Sequence, residues 1–515
     1  MSRMPWLPAL AALCLLAGCG SAPRPATGAA EASATPVLER KDALWLERVE
    51  FGLDSTSVEQ FRRLGRERFL DAQLAAPERP LPAAVGAQID ALEIAHLDPQ
   101  RTLAEVAAEY KSINAMPDGV DKEQARKRLN DRGNRLAYEA QRRLLLRALY
   151  ASDQLQEQMV WFWLNHFSVH QHKNNLRWLV GDYEQHAIRP HALGHFYDLV
   201  MATLTHPAML QYLDNQQNAL GHVNENYARE LMELHTLGVT GGYTQQDVEQ
   251  LARVLTGVGI NVGDAPRLKP EWQPLYRREG AFEFNPARHD FGSKRLLGRE
   301  VSGSGFAEVE NAVHLIVRTP ACAQFISRQL ATYFVADEPP RALVDQMART
   351  FQRTDGDITA VLRSMLLSRE LDAALGGKFK DPMRYVISSV RLAYDGRTIL
   401  NTRPLLNWLN GLGEAPYNHS TPDGYPLTEA SWASPGQMSR RFEIARAIGS
   451  GNAGLFEPED GAPAAATGFP LLSSRLYYAA IEPFLNPNTR AALDRASSQQ
   501  EWNTFLLSSP DLSFE

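Results

Sequence analysis

The chain has 515 residues, of which 44% are hydrophobic and 22% are charged, and its formal net charge at pH 7 is −7. This composition is typical of a globular protein, and the length allows one large domain or a few smaller ones. The negative net charge argues against nucleic acid or an anionic membrane surface as the main partner.

The first residues have the order of a secretory signal. Arg3 supplies a positive charge, residues 7–17 form a short apolar run rich in Leu and Ala, and Leu-Ala-Gly precedes Cys19. The run is too short to cross a bilayer as a permanent helix. We therefore predict a lipoprotein signal peptide over residues 1–18, cut before Cys19, whose thiol is acylated. An ordinary signal peptide followed by a chance cysteine is the alternative.

Residues 19–37 are rich in Ala, Ser, Pro and Gly and lack apolar periodicity. We predict a lipidated flexible tether there, with an end-to-end distance of roughly 20–25 Å, followed by a single large helical domain over residues 38–515. Apart from Cys19, the mature chain then keeps only Cys322, so no internal disulfide is expected. Cys322 is interpreted as a buried small hydrophobic residue rather than a nucleophile.

Beyond the tether the apolar spacing is mostly helical. Apolar residues three and four apart predict helices over 121–169, 224–237, 315–334, 358–367, 382–392, 404–412 and 470–484. Thr244 and Asp247 form a capping-box variant that begins a further helix. Residues 259–305 are rich in Gly, Pro, Asn and aromatics, and a small hairpin is expected there from 282–284 and 295–301. The predicted fold is mainly α, a large multi-helix domain with one irregular region.

Motifs for nucleotide-binding loops, zincin proteases, paired Cys-x-x-Cys sites and common serine hydrolases are missing from the sequence. This lowers the expectation of a nucleotide-dependent enzyme or of these hydrolases. What stands out instead is histidine crowding, because eight of the 13 histidines lie between His166 and His222.

Residues 161–170 carry apolar side chains all round a helix, which predicts that the segment is buried. His166 and His170 are four residues apart and share a face, a spacing that can hold one metal ion. We take His166 as a candidate metal ligand and Asn165 as a candidate binding residue. The alternative is a core histidine whose polar partner is a carbonyl group.

Residues 224–235 place their polar side chains on one arc of about 140°. Glu230 and Glu233 are candidate catalytic residues because they can share a proton or a metal ion, and Glu230 is also a candidate metal ligand. Asn226 and Arg229 are candidate binding residues. The alternative is a solvated face with Glu225–Arg229 and Arg229–Glu233 ion pairs. His235 falls in the apolar half of the wheel and is not expected to share an ion with the carboxylates.

Residues 285–294 put several polar groups into one loop, and loops on a rigid helical scaffold commonly carry binding groups. His289 and Asp290 are candidate catalytic residues that can act as an acid/base pair. His289 is also a candidate metal ligand, and Lys294 is a candidate binding residue. Turn formation is the alternative role for His289 and Asp290.

Three of these segments together resemble one bacterial family, the domain of unknown function 1800. The residues that carry the resemblance are Trp163-Leu164-Asn165-His166-Phe167, residues 224–235 with Gly238 and Gly241-Gly242-Tyr243-Thr244, and His289-Asp290-Phe291-Gly292-Ser293-Lys294. The resemblance runs from about Leu44 to the C-terminus. Glu50 and Val258 depart from the residues usual at their positions, Thr and Trp, but neither lies in the polar segments.

The resemblance implies a large exported bacterial protein without an established activity. Genes of the family often neighbour a second exported family related to sulfatases and phosphatases, which implies such a protein as a partner. Gly20 after the cysteine, by similarity to Gram-negative lipoproteins, implies the outer membrane, facing the periplasm or the cell surface.

Two main functions remain open from the sequence, beside a third option, glycan binding by the aromatic-rich loops, which only Trp272, Tyr276 and Trp432 suggest. The first is a metal-dependent enzyme acting on a cell-envelope or extracellular substrate, with a divalent cation held by His166, Glu230 and His289. The second is a non-catalytic scaffold or partner protein at the membrane surface. Neither nucleic acid nor a nucleotide is expected as a partner.

Overall fold

Packing of amphipathic and fully apolar helices dominates the structure. A computed structural model describes residues 37–75, 79–174, 176–459, 461–462 and 468–515; the predicted signal peptide, Cys19 and nearly all of the predicted tether lie outside these residues. Residues 37–515 form one compact unit that is mainly helical, as predicted. No helix in the described ranges is long and apolar enough to cross a membrane.

The α-helices are, in chain order, α1 (Arg40–Val49), α2 (Ser55–Leu64), α3 (Arg66–Leu74), α4 (Ala83–Asp90), α5 (Pro99–Ala115), α6 (Val120–Tyr150), α7 (Gln154–His166), α8 (Val180–Asp182), α9 (Phe196–Thr205), α10 (Pro207–Tyr212), α11 (Asn226–Glu230), α12 (Gln245–Val254), α13 (Phe306–Val317), α14 (Pro320–Phe334), α15 (Arg341–Arg353), α16 (Ile358–Leu366), α17 (Arg369–Ala374), α18 (Pro382–Tyr394), α19 (Arg403–Leu412), α20 (Pro435–Gly449), α21 (Pro487–Leu493), α22 (Gln499–Leu507) and α23 (Pro510–Ser513). Three π-helical segments occur in the described chain, at Tyr183–Ile188, Leu231–Thr236 and Tyr477–Ile481.

The irregular region contains two small antiparallel sheets. The strands are β1 (Val258–Ile260), β2 (Arg277–Glu279), β3 (Phe282–Phe284), β4 (Arg295–Leu296) and β5 (Arg299–Glu300). The expected pairing of 282–284 with 295–301 is wrong, because β3 lies between β1 and β2 while β4 pairs with β5. Leu297 and Gly298 both have positive φ, at 50° and 76°, and this backbone closes a tight two-residue hairpin between β4 and β5.

Several predicted helix boundaries are corrected by the structure. The segment 121–169 is two helices, α6 and α7, and 315–334 is divided between α13 and α14, because the Thr319 side chain caps α14 and Pro320 occupies its first turn. The segment 470–484 is helical from residue 475 onward and irregular only over its first residues. Its beginning is held in irregular form by Asn503, whose amide donates to the Pro470 carbonyl at 2.7 Å.

Helix α7 lies in the core and positions the region described next. Residues 154–164 are almost wholly buried, and the Trp163 indole donates to the Ala192 carbonyl at 3.0 Å. Beside α7, Arg189 pairs with Glu157 at 2.6 Å and with Glu184 at 2.8 Å. The C-terminal end of this rigid helix presents Asn165 and His166.

Candidate active site

The segment predicted as one helix over 224–237 has two parts. Helix α11 ends at Glu230, and the chain continues as a π-helical turn in which the Leu237 amide donates to the Met232 carbonyl at 2.8 Å. Each π turn holds more residues than an α turn. A helical wheel drawn with the α-helical rotation of about 100° per residue therefore does not describe the positions after Glu230. π-helical turns inside α-helices are often found at functional sites.

Glu230 is half-buried and surrounded by other acidic groups. Burial raises its pKa, the charge of Glu233 raises it further, and Asp423 adds to the rise, while Arg229 opposes it. Tyr212 belongs to the same cluster. Burial raises its pKa to about 12, and the charges of Asp423 and Glu230 contribute to this rise. The structure thus brings Glu230 and Glu233 together with a third carboxylate from far along the chain.

That third carboxylate, Asp423, is part of a loop docked on the end of α7. The Asn165 side chain donates to the Tyr425 carbonyl at 2.9 Å and accepts from the Tyr425 amide at 2.6 Å. Gly424 has a φ of +72°, and a Cβ added there would lie 2.2 Å from the Asn165 carbonyl oxygen. Asn165, predicted as a binding residue, therefore fixes the loop that carries Asp423.

Asp423 has an environment opposite to that of Glu230. Its side chain is 61% exposed and accepts hydrogen bonds from the Thr421 hydroxyl at 2.5 Å and from His419 at 3.2 Å. Partial burial opposes these bonds, but together they lower the pKa of Asp423. The pKa of Asp423 is therefore displaced downward, which favours its ionised form, whereas that of Glu230 is displaced upward, which favours its protonated form.

Sequence reasoning missed Asp423. The signal that was available is Thr421-Pro422-Asp423-Gly424-Tyr425-Pro426, a turn-forming run that presents one carboxylate between two prolines. Nothing in its local pattern indicates contact with residues 165 or 230, which are far away in sequence.

Histidine and lysine side chains lie beside the cluster. The rings of His170 and His172 are 5.3 Å apart. Burial is the largest cause of a lowered pKa of His170, and the charges of His172 and His419 lower it further. Lys173 lies 5.3 Å from the centre of the Tyr212 ring and pairs with Asp214 at 2.9 Å. The acidic cluster is therefore bordered by imidazole groups.

Two predicted binding residues have local structural roles. Arg229 donates to Glu225 and to Gln245, each at 3.0 Å, so one of the two ion pairs expected on a solvated face is present. Glu233 accepts instead from the Tyr243 hydroxyl, at 3.3 Å. Asn226 donates to the Leu213 carbonyl at 3.1 Å.

His166 contacts a second histidine rather than a carboxylate. Its Nε2 lies 2.9 Å from the His235 carbonyl oxygen, and burial lowers the pKa of His166 to about 4. The two rings are 6.1 Å apart, with Phe167 against both. A neutral imidazole bonded to a carbonyl matches the core-histidine alternative.

The loop residues 289, 290 and 294 belong to another network. His289 Nδ1 lies 2.7 Å from the Thr256 carbonyl oxygen, and Lys294 pairs with Glu308 at 2.6 Å. Asp290 pairs with Arg253 at 2.8 Å, and the hydrogen bond from Arg253 lowers the pKa of Asp290. These partners join the loop to α12 and α13.

The predicted metal ligands His166, Glu230 and His289 thus lie in three different networks. Across the described ranges, no three His, Cys, Asp or Glu side chains form a group that could hold a metal ion. The arrangement that can perform chemistry is the cluster of Glu230, Glu233 and Asp423. The environments of Glu230 and Asp423 displace their pKa values in opposite directions, which is how acid and base roles are divided between like residues.

The chain is similar to a known protein family. The family model described as "Protein of unknown function (DUF1800)" matches residues 44–514. No curated protein and no solved structure matches the chain.

Proposed function

The chain belongs to the DUF1800 family, and we propose that it is an exported, lipid-anchored enzyme that hydrolyses glycosidic bonds in a cell-envelope polysaccharide. The observation that carries this proposal is the opposite displacement of two carboxyl pKa values in one cluster, upward for Glu230 and downward for Asp423. Glycoside hydrolysis needs one protonated and one ionised carboxyl group.

The proposed reaction uses the two groups as follows. Glu230 donates its proton to the glycosidic oxygen as the bond from that oxygen to the anomeric carbon breaks. Asp423 accepts a proton from the water molecule that bonds to this carbon. The products are two shorter sugar chains, and one proton has moved from Glu230 to the leaving group and one from water to Asp423.

Two features favour a polysaccharide as the substrate. Asp423 is 61% exposed, so the cluster is accessible to a long chain and not only to an enclosed small molecule. Tyr212, Tyr243 and Tyr425 lie within or beside the cluster, and tyrosine presents both an apolar ring and a polar hydroxyl. The nearby cations Lys173 and Arg229 are paired with Asp214 and Glu225.

The test is the release of reducing ends from envelope polysaccharides of the source cell. We expect Glu230→Gln and Asp423→Asn each to lower kcat/KM by about 10²–10⁴-fold, the usual range for a general acid or base. Glu225→Gln is the matched control, because Glu225 lies next to α11 but pairs with Arg229 and Gln245. A chelator should leave the activity unchanged, since the described residues form no three-ligand group.

Equal activity of all three variants would remove the acid–base assignment. Loss of activity on chelation, restored by Mn²⁺, Zn²⁺ or Ca²⁺, would instead support the metal-dependent enzyme. Folded variants that lack turnover but co-purify with an exported sulfatase- or phosphatase-like protein would support the scaffold function.

The membrane anchor is a separate part of the proposal. It is supported by the apolar run and small residues before Cys19, and it places the enzyme in the cell envelope, on the outer membrane. Cys19→Ser should leave the protein unprocessed and without a covalent acyl chain, as measured by mass spectrometry of the membrane fraction. An unchanged mass and membrane distribution would contradict acylation at this residue.

A further inference from the structure

We propose that one surface of the folded domain, at the point where the tether enters it, rests directly on the lipid bilayer. This inference depends on the proposed lipid anchor and adds a contact that the anchor alone does not require. The tether-root face consists of Val37, Arg62, Arg475 and Tyr478.

The members of the tether-root face meet around one carbonyl group. The Leu38 amide donates to the Ala479 oxygen at 2.9 Å, so Val37 and Tyr478 each adjoin one residue of this hydrogen bond. Arg62 Nη2 lies 3.4 Å from the same oxygen. Burial is the largest cause of the lowered pKa of Arg62, and the charge of nearby Arg475 lowers it further.

The face exposes apolar area that the domain does not cover. Val37 is 61% exposed and Tyr478 is 53% exposed. Leu471, at 66% exposed, belongs to the same irregular segment that leads into the π-helical turn. Most other large apolar side chains in the described ranges are buried, so a group of exposed ones at a single place indicates an interaction surface.

The position of the face indicates which surface covers it. The chain that would join Val37 to the acylated Cys19 is about 18 residues long, and a coil of this length spans roughly 20–25 Å. Even fully extended, such a chain reaches only roughly 60–65 Å, so the proposed anchor keeps Val37 within that distance of the bilayer. Tethering replaces a bimolecular encounter with an intramolecular one at an effective concentration in the millimolar range, so a few weak contacts are sufficient.

The chemistry of the face fits a membrane interface. Tyrosine is enriched where acyl chains meet headgroups, because its ring is apolar and its hydroxyl is polar. Arginine extends its apolar stem along such a surface and keeps its charge among the headgroups. The net charge of the whole chain is −7, which opposes binding of an anionic bilayer through a larger area.

The test uses the full, acylated chain in vesicles of phosphatidylethanolamine and phosphatidylglycerol. A polarity-sensitive NBD dye is attached to cysteine in the Tyr478→Cys variant and, as the matched control, in the Val239→Cys variant, because Val239 is 72% exposed outside the face. Cys322 is buried and does not take up the dye while the protein is folded. Circular dichroism checks that both labelled variants keep their helix content.

We expect the dye at position 478 to show a severalfold rise in emission and a blue shift when vesicles are present, and the dye at 239 to show neither. Equal responses at the two positions, or no response at 478 in protein that floats with the vesicles, would overturn the proposal.

A second measurement separates this proposal from the lipid anchor. In protein that is not acylated, a hexahistidine tag in place of residues 1–19 holds the chain on vesicles that contain a nickel-chelating lipid. The expected difference between positions 478 and 239 is the same. If the difference between positions 478 and 239 appears only in the His-tagged protein, the face contacts lipid although acylation at Cys19 has failed. If the difference is missing in the His-tagged protein, the tether-root face does not bind a bilayer.

Discussion

Asp182 shows how a single carboxylate can connect three segments of the chain. Its oxygens lie 2.5 Å from His186 Nδ1 and 3.0 Å from His206 Nε2. His206 Nδ1 accepts from the Ala208 amide at 3.1 Å, so its proton is on Nε2 and is donated to Asp182. The carboxylate thus ties α8 to the adjoining π-helical segment and to the start of α10.

This geometry predicts a stability that depends on pH. Burial opposes ionisation, but the hydrogen bonds from the two histidines hold the pKa of Asp182 well below its ordinary value, so its contribution is present above about pH 4 and is lost as pH falls. The hydrogen bond to Asp182 raises the pKa of His186, so that contribution is full below about pH 6.5 and is lost as pH rises through the raised value.

Asp182→Asn should therefore lower the free energy of unfolding most between about pH 4 and 6.5, by about 2 kcal/mol, the usual size for hydrogen bonds to a charged group. Urea unfolding at pH 5 and pH 9 measures the difference. Asp118→Asn is the control, because Asp118 is 98% exposed. A loss in the Asp182 variant that is the same at both pH values would contradict the raised pKa of His186 and its charged pairing with Asp182 at pH 5.

At the residue scale the sequence predicts burial and local ion pairs better than it predicts contacts between residues far apart in the chain. Cys322 is buried, as expected. The Glu225–Arg229 ion pair expected from the sequence is also present. His289 and Lys294 could not be interpreted from sequence alone, because their partners Thr256 and Glu308 lie in other elements. Asp423 was missed for the same reason.

At the scale of elements, the site depends on one close approach of backbone to backbone. Gly424 packs against the end of α7 with no room for a side chain, and the Asn165 amide fixes the next residue, Tyr425. The position of Asp423 relative to Glu230 is therefore set by the contact between this loop and the helix.

Gly424→Ala should displace the loop and reduce turnover by at least tenfold, while most of the domain stays folded, because the methyl group would overlap the Asn165 carbonyl. Gly413→Ala is the matched control: Gly413 also has a positive φ, at +85°, but nothing lies near its added Cβ. The two variants share the backbone strain of a non-glycine residue, so equal turnover in both would contradict the close-approach argument. Reducing-end release and thermal unfolding are measured for each.

Helices whose signals are local were predictable. The Thr244–Asp247 capping box begins α12 as expected, and α16 and α18 begin at the predicted residues. The π-helical turn at Leu231–Thr236 was not predictable, because apolar spacing does not separate an i→i+5 ladder from an i→i+4 ladder over six residues. Packing of His235 and Phe167 against His166 accompanies that turn.

At the scale of the whole molecule, buried charge joins helices that the sequence shows only as separate patterns. Arg189 lies between Glu157 of α7 and Glu184, and Arg143 of α6 also pairs with Glu184. The mainly helical class follows from periodicity. Periodicity does not predict which helices contact one another, because each such contact joins residues far apart in the chain.

Arg189→Met should destabilise the domain by about 3–5 kcal/mol, since it leaves buried Glu157 without its main counter-charge and removes one of the arginines that pair with buried Glu184. Urea unfolding measures the change. Arg318→Met serves as the control because its pair with Asp355 is exposed on both sides, and no measurable loss is expected there. A similar small effect in both variants would mean that the buried network contributes little to stability.

The central claim is that the pKa values of Glu230 and Asp423 are displaced in opposite directions within one cluster, upward for Glu230 and downward for Asp423. The most direct test is a ¹³C carboxyl NMR titration of protein labelled at Glu and Asp side chains, with signals assigned by their loss in Glu230→Gln and Asp423→Asn. We predict that Glu230 titrates above the ordinary Glu value of about 4.3 and Asp423 below the ordinary Asp value of about 3.9. Titration of both groups at their ordinary values, or in the reverse order, would contradict the acid–base site.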